Sequence, residues 1–290
     1  MKKRKIDLAV ISDVHLGTYG SHADELTIYL NSIQPDTLIL NGDIIDIWHH
    51  NGHYFPAAHL KVIRKIINMA IRGTMVYYIT GNHDQAIRRF SGTAMGNFCI
   101  LDQLELEVDG KRVWFFHGDV FDLTTNNAKW ITLLGNYGFK LLILMNRLIN
   151  WTLSIQGKEK YSFSKRIREG SKKAGRYISD FERTAIDLAI QNGCDFVVLG
   201  HNHRPKKEQW QTKKGKCTYL NSGDWVENLS ALEYSFKRWK IYRYNRDKLA
   251  PFFADEDLKD LDVHDLIASF NPKKEAKEKQ GESLHDEGIL

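Results

Sequence analysis

Thiols are nearly missing from this chain of 290 residues, which has three cysteines. Cys99, Cys194 and Cys217 are odd in number and share no CxxC spacing, so neither a disulfide framework nor a thiolate zinc site is indicated, and a reducing compartment fits. Long apolar runs are missing too. The longest aliphatic stretch, Leu141 to Met145, falls far short of the roughly 20 residues a membrane span requires. The start Met1-Lys2-Lys3-Arg4-Lys5 is basic, but Asp7 and Ser12-Asp13 interrupt the segment after it before an adequate apolar run forms, so no signal peptide is expected. No internal repeat is visible. Charge is only mildly one-sided: the net +5 favours anionic partners such as phosphate esters or acidic lipid, and ordinary surface lysine explains it equally well. The expectation is a cytoplasmic protein, with peripheral contact at an acidic membrane surface compatible with its charge.

The chain does contain material for one large core. Hydrophobic residues make up 42% and charged residues 27%, as in globular domains, and the length suits a single domain with an insertion. The expected domain covers residues 1–270. From Asn271 onward, charge replaces apolar residues, and a disordered tail is expected over 271–290. Within the domain, β-prone runs repeatedly end in polar clusters. Ile6 to Ile11 leads into Asp13-Val14-His15, Thr37 to Leu40 into Asn41-Gly42-Asp43-Ile44-Ile45-Asp46, and Met75 to Thr80 into Gly81-Asn82-His83-Asp84. Val113 to Phe116 leads into His117-Gly118-Asp119, and Phe196 to Leu199 into Gly200-His201-Asn202-His203. Helices are predicted over Ser21 to Ile33, with Ser21 and Asp24 as a loose capping box, and over Ala57 to Arg72. This alternation is that of an α/β sheet, whose ligands bind beyond the carboxyl ends of the strands.

Residues from Leu123 to about Asn192 break the pattern and read as a helical insertion. On a wheel of Ala128 to Ile155, Lys140, Asn146, Arg147 and Asn150 share a narrow arc and the remainder is apolar. Such a helix either packs on the sheet and its neighbours or walls a cavity for acyl chains or the bilayer surface. The cationic run Lys158 to Arg176 comes next, then a helix over Ser179 to Gln191. A further helix is predicted over Leu258 to Phe270. The cluster His49-His50-Asn51-Gly52-His53 reads as a loop of surface histidines, with a place at the mouth of the site as the alternative.

The strand-end groups Asp13, His15, Asp43, Asn82, His117, His201 and His203 carry the chemistry. Side chains at i and i+2 leave a strand on the same face, so Asp13/His15 and His201/His203 can each converge on one point. Imidazole and carboxylate suit borderline divalent ions such as Mn, Fe, Zn or Co. Seven ligands exceed what one such ion takes. Shared between two ions with a bridging carboxylate, they make the dinuclear site of a phosphoryl displacement.

These five blocks, in this order, resemble the calcineurin-like metallophosphoesterase superfamily. The resemblance implies a four-layer αββα sandwich. It places one ion on Asp13, His15, Asp43 and His203 and the other on Asp43, Asn82, His117 and His201, with Asp43 bridging. His83 is similar to the family's catalytic histidine, which is not a ligand, and Asp46 to its carboxylate partner. Within the superfamily, Asn41 to Trp48, the insertion after His117-Gly118-Asp119 and His201 to Pro205 resemble the UDP-2,3-diacylglucosamine hydrolases of lipid A synthesis. Those enzymes use Mn at both sites and carry a helical cap, which implies pyrophosphate hydrolysis of a lipid-linked nucleotide to UMP and a lipid phosphate. Arg168, Ser171 and Lys172 are similar to cap residues that meet the phosphates. One position departs: where the best-known members carry Arg, this chain has His83. An alkoxide leaving group gains far more from a general acid than a phosphate does, so His83 also admits a different lipid or nucleotide ester.

Two other readings compete. A soluble phosphodiesterase for cyclic nucleotides or nucleic acid would leave the apolar arc of the insertion without a purpose, and no stable nucleic acid partner is expected. A non-catalytic scaffold would be marked by lost ligands or a lost His83, and none is lost.

Overall fold

The computed structural model describes residues 2–46, 54–121 and 172–254, with backbone alone for 172–180. Five strands of one sheet come from the first hundred residues: β1 (Arg4–Ile11), β2 (Ile33–Asn41), β3 (Met75–Ile79), β4 (Thr93–Met95) and β5 (Phe98–Leu101). A second sheet takes β6 (Gln103–Val108), β7 (Lys111–Phe116), β8 (Phe196–Leu199), β9 (Lys206–Thr212) and β10 (Gly215–Asn221). The chain then returns to the first sheet with β11 (Ser230–Ser235) and β12 (Arg238–Arg243). The orders are β12-β11-β1-β2-β3-β5-β4 and β6-β7-β8-β10-β9. In the first sheet β1, β2, β3 and β5 run parallel, and in the second β7, β8 and β10 do.

Alternation along the central strands explains why the sheets stack. Val10 of β1, Ile39 of β2, Phe115 of β7, Val198 of β8 and Leu220 of β10 form one buried cluster between the sheets. Their sequence neighbours face outward, Ala9, Ile11, Leu38 and Leu40 on one side and Trp114, Phe116, Val197, Leu199 and Tyr219 on the other. Such strands, buried on both faces, read as continuous apolar runs. Helices α1 (Ala23–Ser32) and α2 (Ala57–Ile71) cover the first sheet through Leu26, Leu30, Val62 and Ile66. After a single turn of helix, α3 (Gln85–Arg88), the helix α4 (Lys172–Gln191) covers the second sheet through Phe181, Ala185, Ile186 and Leu188. The layers are therefore α, β, β and α, as expected.

The differences are local. Helix α1 begins at Ala23 with His22 at its N-cap and no side-chain cap, so the Ser21/Asp24 box does not form. It passes straight into β2 at Ile33. The last helix of the insertion already includes Lys172 and so extends ahead of Ser179. The turn Asp109-Gly110 forms as predicted, with both residues at positive φ (50° and 72°) between antiparallel β6 and β7, the backbone of a type I′ hairpin. The predicted helices over 128–155 and 258–270, the histidine cluster at 49–53 and the charged tail at 271–290 lie outside the described residues.

Leu220 is fully buried between the sheets. Leu220→Ala is expected to cost about 2–5 kcal/mol, read as a lowered midpoint in thermal denaturation.

Candidate metal centre

The polar blocks all lie just past the carboxyl ends of parallel strands, and backbone pairing continues beyond β1 and β2 to lock the first two together. Asp13 N–H donates to Gly42 O at 3.0 Å, His15 N–H to Asp43 O at 3.0 Å, and Asp46 N–H to Leu16 O at 2.7 Å. Asp13, His15, Asp43, His201 and His203 all have φ between 51° and 65°, a left-handed conformation that costs non-glycine residues strain and marks functional sites. Glycine relieves the crowding next to them. A Cβ on Gly42 would strike the His117 ring, and one on Gly200 would lie 2.6 Å from Asp13 Oδ2.

Three sets of ligand-type atoms lie within 4.8 Å of one another among the described residues: Asp13, His15 and His203; Asp43, His117 and His201; and His15, Asp43 and His83. The first brings together three of the four ligands expected for one ion, without Asp43, and the second three of the four expected for the other, without Asn82. His117 Nε2 is 3.2 Å from Asp43 Oδ2, and His203 Nε2 is 3.2 Å from Asp13 Oδ1. Asp13 also accepts the His201 N–H on both oxygens, at 3.1 and 3.0 Å. His117 Nδ1 lies 2.9 Å from the carbonyl of Asn41. A carbonyl only accepts, so Nδ1 carries the proton and Nε2 is left as the ligand atom. Oδ1 of Asn82 is buried without a hydrogen-bond partner among the described residues, the state of a ligand atom shaped for a cation. With imidazole, carboxylate and amide oxygen present and no thiolate, the set fits borderline divalent ions.

His83 and Asp46, the expected catalytic pair, are in contact. Its Nδ1 lies 2.8 Å from Asp46 Oδ2, and its Nε2 lies 3.8 Å from Asp43 Oδ2. On distance alone the third set also makes His83 a ligand candidate. His15 Nδ1 shares Asp46, at 3.4 Å. Arg168 and Ser171 lie outside the described residues, and Lys172 is described only as the backbone start of α4.

Burial and charge oppose one another throughout the cluster. Burial pushes the Asp43 carboxyl up, but His117 and His83 hold it well below the usual carboxylate range. Asp13 is lowered in the same way, against burial, by His203 and His117. Burial disfavours the imidazolium of His117, yet Asp43 and Asp13 carry it well above its ordinary value, and Asp13 raises His203 against burial. His83 is pushed up to about 9, against burial, by Asp43 and Asp46. Asp84 is raised, by burial and by negative Asp43. Protons on imidazoles balance buried carboxylates here, and a divalent cation would displace them.

Sequence reasoning missed the residues that brace this cluster. Asn41 donates to Phe116 O at 3.2 Å and Val198 O at 3.4 Å, joining the two sheets behind His117. Buried Arg88 binds Asp119 Oδ2 at 3.0 Å and Thr80 Oγ1 at 3.0 Å, tying the third block to the fourth. Asn228 donates to His203 O at 2.8 Å while Asp224 accepts the N–H groups of Val226 and Asn228. The only sequence signal was position: Asn41 and Asp119 sit inside the polar blocks, and Asp224 ends another strand.

The family model for calcineurin-like phosphoesterases matches residues 6–205. A UDP-2,3-diacylglucosamine hydrolase of Blochmanniella pennsylvanica (strain BPEN) is 24% identical over 238 residues, 80% of this chain and 93% of its own. One of the same name from Aeromonas salmonicida (strain A449) is 26% identical over 254 residues, 85% of this chain and 96% of its own. Among solved structures, Yfce, a phosphoesterase from E. coli, is 16% identical over 82% of this chain and 93% of its own, with a TM-score of 0.40.

The His83 shift has a defined sign in the metal-free protein. Its folded value of about 9 lies above the ordinary 6.5, so its contribution to stability is full below about pH 6.5 and is lost as the pH rises through about 9. Thermal midpoints of EDTA-treated protein are expected to fall across that window, and less steeply for His83→Ala. Equal slopes would remove His83 from the charge balance.

Proposed function

The chain belongs to the calcineurin-like phosphoesterase family, and from that premise we propose that it splits the pyrophosphate of UDP-2,3-diacylglucosamine or a similar lipid-linked nucleotide into UMP and a lipid phosphate. As a member it is a metal-dependent phosphoester hydrolase. The observation that carries the chemistry is a chain of ligand clusters: Asp43 groups with His117 and His201 on one side and with His15 on the other, and His15 in turn groups with Asp13 and His203. The substrate class is supported by the relatives' shared name along most of both chains, and by the apolar arc of 128–155 in the sequence.

One ion is assigned to Asp13, His15, Asp43 and His203, and the other to Asp43, Asn82, His117 and His201. Mn is the proposed metal, with Fe, Zn and Co compatible with the donors. When bound, such a pair supplies an activated water and charge for the transferring phosphoryl group. Around it, Asp46 orients the His83 ring through Nδ1, and His83 presents a proton at Nε2 toward the leaving oxygen. Arg168, Ser171 and Lys172 are proposed to hold the substrate phosphates. Work on a lipid precursor implies contact with the cytoplasmic face of a membrane; among the described residues no helix is long and apolar enough to cross one.

A second reading is favoured by one observation. His83, raised to about 9 between Asp43 and Asp46, is equipped as a general acid that a pyrophosphate hardly needs. Hydrolysis of a lipid or nucleotide alkyl phosphate uses it better.

A Mn-loaded assay of UDP-2,3-diacylglucosamine beside simple phosphodiesters separates the two readings. UMP release at a kcat/KM well above that of the diesters is expected, and diester turnover without UMP release would overturn the pyrophosphate assignment. His83→Ala should slow esters with alkoxide leaving groups by roughly 10²–10⁴-fold and nitrophenyl esters much less. Losses independent of leaving-group pKa would show that His83 acts by charge and position alone.

A further inference from the structure

Asp84 is the residue after His83 and is almost wholly buried, yet it belongs to none of the ligand sets. Its carboxylate is saturated by the protein itself. Oδ2 accepts the N–H groups of Asp43 at 2.6 Å and Gly81 at 3.0 Å. Oδ1 accepts those of Ile44 at 3.2 Å and Ile45 at 3.1 Å, together with the Tyr78 hydroxyl at 2.6 Å. Four backbone donors from two loops converge on one side chain. Three are consecutive beyond β2 and the fourth opens the loop beyond β3, so Asp84 pins the Asp43 loop against the loop that carries Asn82 and His83. The join is tight: a Cβ on Gly81 would strike the Asp43 carboxylate. Asp43 itself sits at φ 54°, a conformation that persists only when the surroundings enforce it.

We propose that Asp84 is a positioning residue for the metal centre, setting the backbone of Asp43 and with it the aim of the carboxylate shared by the two ions. The inference rests on the reading of Asp43 as that shared ligand. A purely structural carboxylate would lower the melting point when replaced and leave metal affinity alone. A positioning carboxylate changes affinity in a graded way. In Asp84→Asn the remaining oxygen can face Asp43 and Gly81, while the amide NH2 faces Tyr78, whose hydroxyl rotates to accept it. Ile45 then loses its acceptor outright, and Ile44 keeps only its longer contact to Oδ2, at 3.4 Å. In Asp84→Ala all four N–H groups lose theirs.

The test is calorimetric titration of EDTA-treated protein with Mn(II) alone, beside thermal melts of the same samples. Wild-type protein is expected to take two ions. Asp84→Asn should weaken them about 10-fold and Asp84→Ala about 100-fold, the range for groups that orient metal ligands. Tyr78→Phe should cost about fivefold, the worth of one hydrogen bond. The double variant Asp84→Asn/Tyr78→Phe should lose more than the product of the single losses, because the amide NH2 then has no acceptor. Variants that melt lower but bind both ions with wild-type affinity overturn the proposal. Should Asp84→Ala fail to fold, the Asn and Phe variants decide, and merely multiplicative losses overturn it. Wild-type protein that binds one ion overturns the dinuclear reading instead, and the same order of losses for that ion still supports Asp84 acting through Asp43.

Discussion

Asp13 and Asp43 are stripped of water where the two sheets meet, at 0% and 2% exposure, and a buried carboxylate is costly unless it is paired and hydrogen-bonded. Neither is satisfied by its own sheet alone. Asp13 and Asp43 lie past β1 and β2, whereas the imidazoles 3.2 Å from them belong to His203 and His117, past β8 and β7. Docking of the sheets and assembly of the cluster are thus one event. The apolar cluster of Val10, Ile39, Phe115, Val198 and Leu220 brings the strand ends together, and the charges at those ends are tolerable only once they have met.

This constraint explains the strained backbone. Five of the seven expected ligands adopt positive φ, because residues two or four positions past a strand end must turn their side chains back across the sheet edge to reach the cluster. Rigid surroundings hold such conformations in place: continued pairing between the β1 and β2 loops, the Arg88–Asp119 pair and Asn41 reaching both Phe116 and Val198. Stiffness at this edge also serves function, since a site that acts through electrostatics gains from donors already in place.

His83 is held at both ends of its ring, by Asp46 at one nitrogen and toward Asp43 at the other. That position at the border of the ligand sets lets one side chain stabilise charge, carry a proton or both.

Much of the site was legible from the chain. Asp13 and His15 do share a ligand set, but His201 and His203, expected to converge on one point, fall into different sets, because all four residues leave the extended backbone on which the two-residue period rests. The runs at 37–40, 113–116 and 196–199 announced themselves because strands buried on both faces are almost wholly apolar. Strand β9 did not: Lys206–Thr212 holds a single apolar residue, Trp210, and alternates half-buried with exposed positions, since it is an edge strand with one face toward solvent. Strand β11 carries buried Glu233 in a short mixed run, which period alone cannot separate from a loop. The sequence by itself therefore determined the kind of chemistry and the residues able to perform it, because side-chain type and local spacing are properties of short segments. Only the tertiary structure decided which of them face one another and what braces them. Asp84 binds Asp43, 41 residues away, and Asn41 reaches Val198 across 157; those partners are backbone groups, which every residue carries and no motif distinguishes.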